Sequence, residues 1–162
     1  MRYALTALQQ RNFLTGTGRY LLELLRAMVA ERPNDEFLLY LREDQRAVFR
    51  IDAPNVRQRM AEGCPASPYA RVLWEAARFP GMLRRDGVDL FHGPANFLPP
   101  RKPCPFVLTL HDMFFFRNPK RTNAVRSLYW RGFIRATWRL ADEIITDSEH
   151  SRRDIVHYLA AP

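Results

Sequence analysis

The sequence predicts an α/β protein in which helices cover both faces of a parallel, doubly wound sheet. Three observations lead there. Short apolar runs alternate along the chain with longer segments of helical period. Phe106–His111 reads Phe-Val-Leu-Thr-Leu-His, apolar or β-branched up to its last residue, the pattern of a strand buried on both faces. The chain has 162 residues, 47% apolar and 26% charged, enough for one domain with a real core and too apolar for a disordered segment.

The elements follow in order. Tyr3–Leu8 reads as the first strand, followed by a loop to Thr15 and then Gly16-Thr17-Gly18. From Arg19 to Ala30, Leu21, Leu22, Leu25, Met28 and Val29 fall on one helical face, and Pro33-Asn34-Asp35 ends that helix. Glu36–Leu41 is a second strand bounded by charge. Arg42–Phe49 supports a short helix at most, and Asn55–Met60 a weak third strand. After a loop at Gly63–Pro68, Tyr69–Leu83 has a helical pattern that Pro80-Gly81 is expected to kink or break. Val88–His92 is a brief strand stopped by Gly93-Pro94. Asn96–Pro105 carries four prolines and is a loop. Thr122–Leu140 is a long helix, Glu143–Thr146 a sixth strand and Ser148–Leu159 a final helix.

The long helix has two stripes at helical spacing. Val125, Leu128, Tyr129, Gly132, Ala136 and Leu140 share the face expected to be core. Trp130, Ile134 and Trp138 form the second, with Arg131, Arg135 and Arg139 beside it. A tryptophan stripe bordered by arginines suits an anionic membrane surface. The competing reading packs the tryptophans on another helix and leaves the arginines in water. Met113–Arg117, rich in phenylalanine, either dips into a membrane or is buried.

The net charge of +8 directs the chain toward anionic partners. Most of the excess lies between Met113 and Ala141, where Arg117, Lys120, Arg121, Arg126, Arg131, Arg135 and Arg139 occur with no acidic residue. Nucleic acid ranks low as that partner, because no recognised binding module accompanies the charge. Cys64 and Cys104 sit beside prolines without metal or redox spacing, as free thiols of a reducing cytosol do. No stretch reads as a signal peptide or as a membrane span, so a cytoplasmic protein, free or on a membrane surface, is expected. No metal cluster, hydrolytic triad or Walker loop is apparent, and no cofactor is expected.

In an open parallel sheet, ligands bind beyond the carboxyl ends of the strands. The informative residues are therefore those that follow strands. Gly16-Thr17-Gly18 leads into a helix, where backbone N–H groups can approach a phosphate; a plain turn is the alternative. His111 ends the clearest strand and Asp112 follows it. That imidazole can contact a sugar hydroxyl or phosphate, or exchange a proton; a structural histidine is the alternative. His92, before Gly93-Pro94, reads as structural or supporting, as does Asn96 in the loop that follows. Ser151 and Asp154 have the spacing of a helix start, while Arg152 and Arg153 either reach a phosphate or face water.

Taken together, these segments resemble glycosyltransferase family 4, a GT-B class family. Gly16–Ala27 is similar to its glycine loop and first helix, and Asp89–Pro100 to its fourth strand and the loop after it. Val107–Met113 resembles its strand ending in His-Asp, and Arg139–Asp154 its Ala-Asp-x-Ile-Ile-x-x-Ser-x-x-Ser-Arg-x-Asp stretch. The nearest resemblance is to bacterial enzymes that add mannose or related sugars during lipopolysaccharide or exopolysaccharide assembly. It implies a Rossmann-like, acceptor-side N-terminal half of a GT-B fold, with the C-terminal donor-binding domain absent. It further implies a retaining hexosyltransferase that takes a GDP- or UDP-linked sugar donor, held mainly by that missing domain, and needs no metal. The acceptor would be a glycan or a lipid-linked sugar at the cytoplasmic membrane face. His111 would be catalytic, and Gly16, Thr17, Gly18, Asp112, Ser148 and Arg152 would bind substrate. The family's paired glutamates belong to the other half, so Glu23 and Glu31 read as surface charges.

Overall fold

A computed structural model describes residues 1–118 and 123–161. Six parallel strands form one sheet: β1 (Arg2–Thr6), β2 (Glu36–Leu41), β3 (Val56–Met60), β4 (Leu90–Gly93), β5 (Phe106–Thr109) and β6 (Glu143–Ile145). Their spatial order is β3-β2-β1-β4-β5-β6, the Rossmann order, which reverses direction between β1 and β4. The helices are α1 (Gly16–Glu31), α2 (Pro68–Arg85), α3 (Phe114–Arg117), α4 (Ala124–Thr137) and α5 (Glu149–Leu159).

The strands bury both faces, and their side-chain alternation separates two cores. Leu5 and Ala7 of the first strand segment join Phe37, Leu39 and Leu41 of β2 under Leu21, Leu22 and Leu25 of α1. Ala4, Leu8, Leu38 and Tyr40 point the other way, to Phe79 and Leu83 of α2, Ile134 of α4 and Ile155 and Leu159 of α5. The expected alternation of strands and helices is therefore present, with boundaries within a few residues of those read from the sequence. The outer strands are β3 and β6. The first carries Arg57 and Arg59, paired with Glu36 at 2.9 Å and Asp86 at 3.2 Å. The second is three residues long.

Three local expectations are corrected. Gly16-Thr17-Gly18 is not a loop before the helix but its first turn; Thr15 caps it by accepting the Gly18 N–H at 3.2 Å. Pro80 does not end α2, which runs through it to Arg85. An interior proline costs about 3 kcal/mol. Full burial of Phe79 and Leu83 on either side of it, at about 1.5–3 kcal/mol each, offsets that cost.

The third correction concerns α4: of the stripe expected in the core, Val125, Leu128, Gly132 and Ala136 are exposed, while Tyr129 and Leu140 are partly buried. Val125 and Leu128, expected in the core, are 72% and 71% exposed, whereas Ile134 and Trp138 are 2% and 9% exposed. The inward side of α4 meets an aromatic layer: Phe115 stacks on Trp130 at 6.0 Å and Phe97 on Phe133 at 4.8 Å. Rings remove more apolar area from water than valine does, so the aromatic face wins the interior. Met113–Arg117 is correspondingly a helical turn with Met113 and Phe116 buried. Lys120, Arg121 and the expected helix start at Thr122 lie outside the described residues; α4 begins at Ala124, capped by Asn123, whose side chain accepts the N–H groups of Val125 and Arg126.

Candidate functional site

The direction reversal between β1 and β4 opens a crevice at the carboxyl rim of the sheet, the usual place for a ligand in this architecture. A cavity of about 610 Å³ occupies it, within the range of small-molecule sites. Gln9–Phe13 and Thr17 line it from the β1 side, and Ala95 and Asn96 from the β4 side. Arg42 and Asp44 after β2, Ala66, Pro68 and Arg71 at and before α2, and Phe115, Arg126, Trp130 and Ile134 of α3 and α4 complete the wall.

The loop after β1 is fixed by side chains from the segment after β2. Buried Gln45 donates from Nε2 to the carbonyls of Ala7 and Gln10, each at 2.7 Å. Arg42 donates to the Leu8 carbonyl at 2.9 Å and pairs with Asp44 at 2.9 Å. Thr17 then reaches from α1 to the Gln10 side-chain oxygen at 2.7 Å. The floor of the crevice is therefore a hydrogen-bonded polar frame.

His111 stands just past β5 on the same rim, its side chain 13% exposed. Nδ1 is 3.0 Å from the Asp147 carboxylate, and Nε2 is 2.9 Å from the Pro94 carbonyl. Both ring nitrogens thus have an oxygen partner, which fixes the plane of the imidazole. Its backbone is also held: the His111 N–H donates to Asn96 Oδ1 at 3.0 Å, and its carbonyl accepts from Ser151 Oγ at 2.8 Å. Asn96 adopts a left-handed φ of 55° and so both lines the cavity and holds the histidine. Tyr20, one turn beyond the glycines, meets the His111 ring edge-on at 4.8 Å. The glycine turn and the histidine thus share one rim, linked through Tyr20.

His92 is 4% exposed and shares Thr109 Oγ1 at 2.7 Å, and the Tyr20 hydroxyl reaches the same oxygen at 3.1 Å. Burial, with the neighbouring His111 charge, pushes the His92 pKa down to about 4, so it is neutral near pH 7. Gly93 beside it has a packing role. A Cβ there would lie 2.3 Å from the Phe97 carbonyl, so the return of the loop past β4 requires glycine. Gly18 is also tight, 3.3 Å from the Phe49 ring, whereas Gly16 faces open space.

The remaining sequence candidates are farther from the cavity wall. Asp112 is exposed and accepts the Phe114 N–H at 2.9 Å, a local turn contact. Ser148 caps α5, accepting the Ser151 N–H at 3.0 Å. Arg152 is exposed and forked onto Glu149 at 2.8 Å. Of the tryptophan stripe, Trp130 lines the cavity and Ile134 and Trp138 are in the core, so the stripe does not lie on the surface. Its arginines fold over rings: Arg131 and Arg135 over Phe116 at 5.4 and 5.1 Å, and Arg139 over Trp138 at 4.7 Å. No described helix is long and apolar enough to cross a membrane. Among the described residues, no cluster could hold a metal ion.

The sequence reading passed over Gln9, Gln10, Arg42, Arg71 and Glu75. Glu75 is fully buried, 3.3 Å from Arg71 and 2.8 Å from Gln9 Nε2. Burial outweighs the Arg71 and Gln9 contacts and lifts its carboxyl to about 8. The signal for this group was weak: an Arg and a Glu four apart on a helix ordinarily mark a solvated pair.

Against known proteins, the model of Glycosyltransferase Family 4 matches residues 14–162. The chain is also similar to O-antigen chain mannosyltransferase B of Escherichia coli, 29% identical over 92% of this chain. It spans 41% of that protein's length.

Proposed function

The chain belongs to Glycosyltransferase Family 4, and from that premise we propose that it forms the acceptor-binding half of a retaining hexosyltransferase. The reaction moves a sugar, mannose in the first instance, from a GDP- or UDP-linked donor to a glycan or lipid-linked acceptor. A bond forms from an acceptor hydroxyl to the anomeric carbon as the bond to the nucleoside diphosphate breaks, and the hydroxyl proton leaves with the diphosphate. The donor is held mainly by a second Rossmann-like lobe facing this rim, and no metal takes part. The work is done at the cytoplasmic face of the membrane that carries the acceptor. The mannosyltransferase name of the similar Escherichia coli protein supports this choice of sugar.

The observation that carries the reading is the joint placement of His111 and the cavity on one rim, coupled through Asn96. His111 contacts the transferred sugar by exchanging its Pro94 carbonyl partner for a sugar oxygen, while Asp147 keeps the ring oriented. Gly16, Thr17 and Gly18 present the first turn of α1 to the donor diphosphate. Transfer of labelled mannose to a lipid-linked acceptor, assayed with this chain alone and with a donor-side lobe, tests the proposal. Transfer that needs both lobes and falls in His111→Ala supports it; robust transfer by this chain alone, or full activity in His111→Ala, refutes it.

One observation favours a second reading, a non-catalytic membrane-surface or interaction domain. Val125 and Leu128 are exposed on α4, and Tyr69 and Leu73 of α2 are 50% and 73% exposed beside it, with Tyr69 against Tyr129. Co-sedimentation with anionic vesicles, lost in the Val125→Asp, Leu128→Asp double variant, would favour this reading; binding unchanged by the double variant, or no binding, would count against it.

A further inference from the structure

We infer that the cavity binds an acidic, oxygen-rich group of the acceptor, a phosphate or carboxylate, on the buried Arg71 guanidinium, with an apolar portion against Phe115 and Trp130. The inference rests on the acceptor-side reading above and adds the charge and polarity of what is accepted.

Most cations near the cavity are already committed. Arg42 is held by Asp44 and the Leu8 carbonyl. Arg126 and Arg11 are spread over the Phe115 and Phe13 rings at 5.9 and 5.4 Å. Arg71 differs from all three. It is only 6% exposed, it lines the cavity, and its one charged partner among the described residues is Glu75. That contact is 3.3 Å long and leaves Arg71 Nε without a hydrogen bond. Gln10, also in the cavity lining and 4% exposed, has a buried Nε2 that likewise lacks a partner among the described residues. Two nine-tenths-buried side chains of the cavity lining therefore each carry an unmet donor. A buried donor left unmet is costly, so such pairs mark places where an acceptor atom belongs.

The local charge balance selects an anion. Arg11, Arg42, Arg71 and Arg126 all line the cavity. The only carboxylate on the cavity wall among the described residues, Asp44, is taken by Arg42. The wall is thus net positive around Arg71, and an oxyanion can accept from guanidinium and amide together. The same cavity is lined by Phe115, Trp130 and Ile134, which favour an apolar moiety beside the charge. An oxyanion joined to an apolar group meets both the donors and the rings, and it alone adds charge complementarity to the guanidinium.

Isothermal titration of the full chain tests this. The probes are hexyl phosphate, inorganic phosphate, methyl glucuronide and the neutral hexyl glucoside. Hexyl phosphate is expected to bind at least ten-fold more tightly than hexyl glucoside and more tightly than inorganic phosphate. The Arg71→Gln, Glu75→Gln double variant, which leaves no buried charge unpaired, is expected to lose at least ten-fold for hexyl phosphate. Arg71→Lys is expected to lose part of that, and Arg26→Gln, a surface arginine on α1 paired with Glu23, less than two-fold. A stronger glucuronide signal assigns the acid to a glycan, and a stronger phosphate signal to a phosphorylated group; either supports the inference. Equal affinity for hexyl phosphate and hexyl glucoside, no binding by any probe, or full affinity in a double variant that melts like the parent overturns it. The readout needs neither donor nor turnover, so failure here leaves the sugar-transfer reading standing, and a failed transfer assay leaves this result interpretable.

Discussion

The imidazole of His111 and the carboxylate of Asp147 meet at 3.0 Å because β5 and β6 are parallel neighbours and both residues follow them on the same rim. The sheet register therefore orients the ring, with no help from the local sequence of either residue. Asp147→Asn keeps the shape and removes the charge. In an assembly competent for sugar transfer, this change is expected to lower kcat about ten- to hundred-fold, and His111→Ala about 10²- to 10⁴-fold. Steady-state transfer kinetics check both; an unaltered Asp147→Asn would show that the ring needs no orienting charge.

Gly93 and Gly16 should respond oppositely to alanine. At Gly93 the new methyl would meet a backbone carbonyl at 2.3 Å, so Gly93→Ala is expected to cost about 3 kcal/mol or prevent folding. At Gly16 the methyl enters open space in the first turn of α1, and a change within about 0.5 kcal/mol, or a small gain, is expected. Urea unfolding of the two variants measures the contrast.

Two buried groups give stability opposite slopes with pH. His92, held at about 4 against an ordinary 6.5, excludes a proton that the unfolded chain takes up. Its contribution is complete above pH 6.5 and is lost as pH falls toward 4, about 3 kcal/mol in all. Glu75, raised from 4.5 to about 8, holds a proton that the unfolded chain releases, so stability declines as pH rises through that interval. Chemical denaturation from pH 4 to 9 should show His92→Asn flattening the acid limb and Glu75→Gln the alkaline limb.

The burial of Ile134 and the exposure of Leu128 on α4 predict opposite responses to truncation. Ile134→Ala should cost about 2–5 kcal/mol, and Leu128→Ala less than about 0.5 kcal/mol. Thermal melts of the two distinguish this packing from the one that periodicity alone suggests.

Much of the fold was legible in the chain because it depends on local pattern. Glu36–Leu41 was read to the residue, since charge bounds an unbroken apolar run, and Ser148 marked the start of α5. The α4 error has a definite cause: both stripes carry apolar residues, and periodicity does not rank one face above another when the partner surface is unknown. Pro80 misled for a related reason, because its cost is local while the burial that offsets it is tertiary. His111 and Asn96 could be found as residues that follow strands. Arg71, Glu75, Gln9 and Gln10 could not, since their meeting depends on α2 packing beside the β1 loop, and Gln9 and Glu75 are 66 positions apart.

The two outer strands have a further consequence. One side of the sheet ends in a strand whose arginines are clamped by ion pairs, and the other in a strand of three residues. Neither presents a long, flat, uncharged ledge on which a second molecule could extend the ladder. Growth into fibrils is discouraged at both margins, so the exposed backbone of an open sheet is tolerated without a barrel's closure.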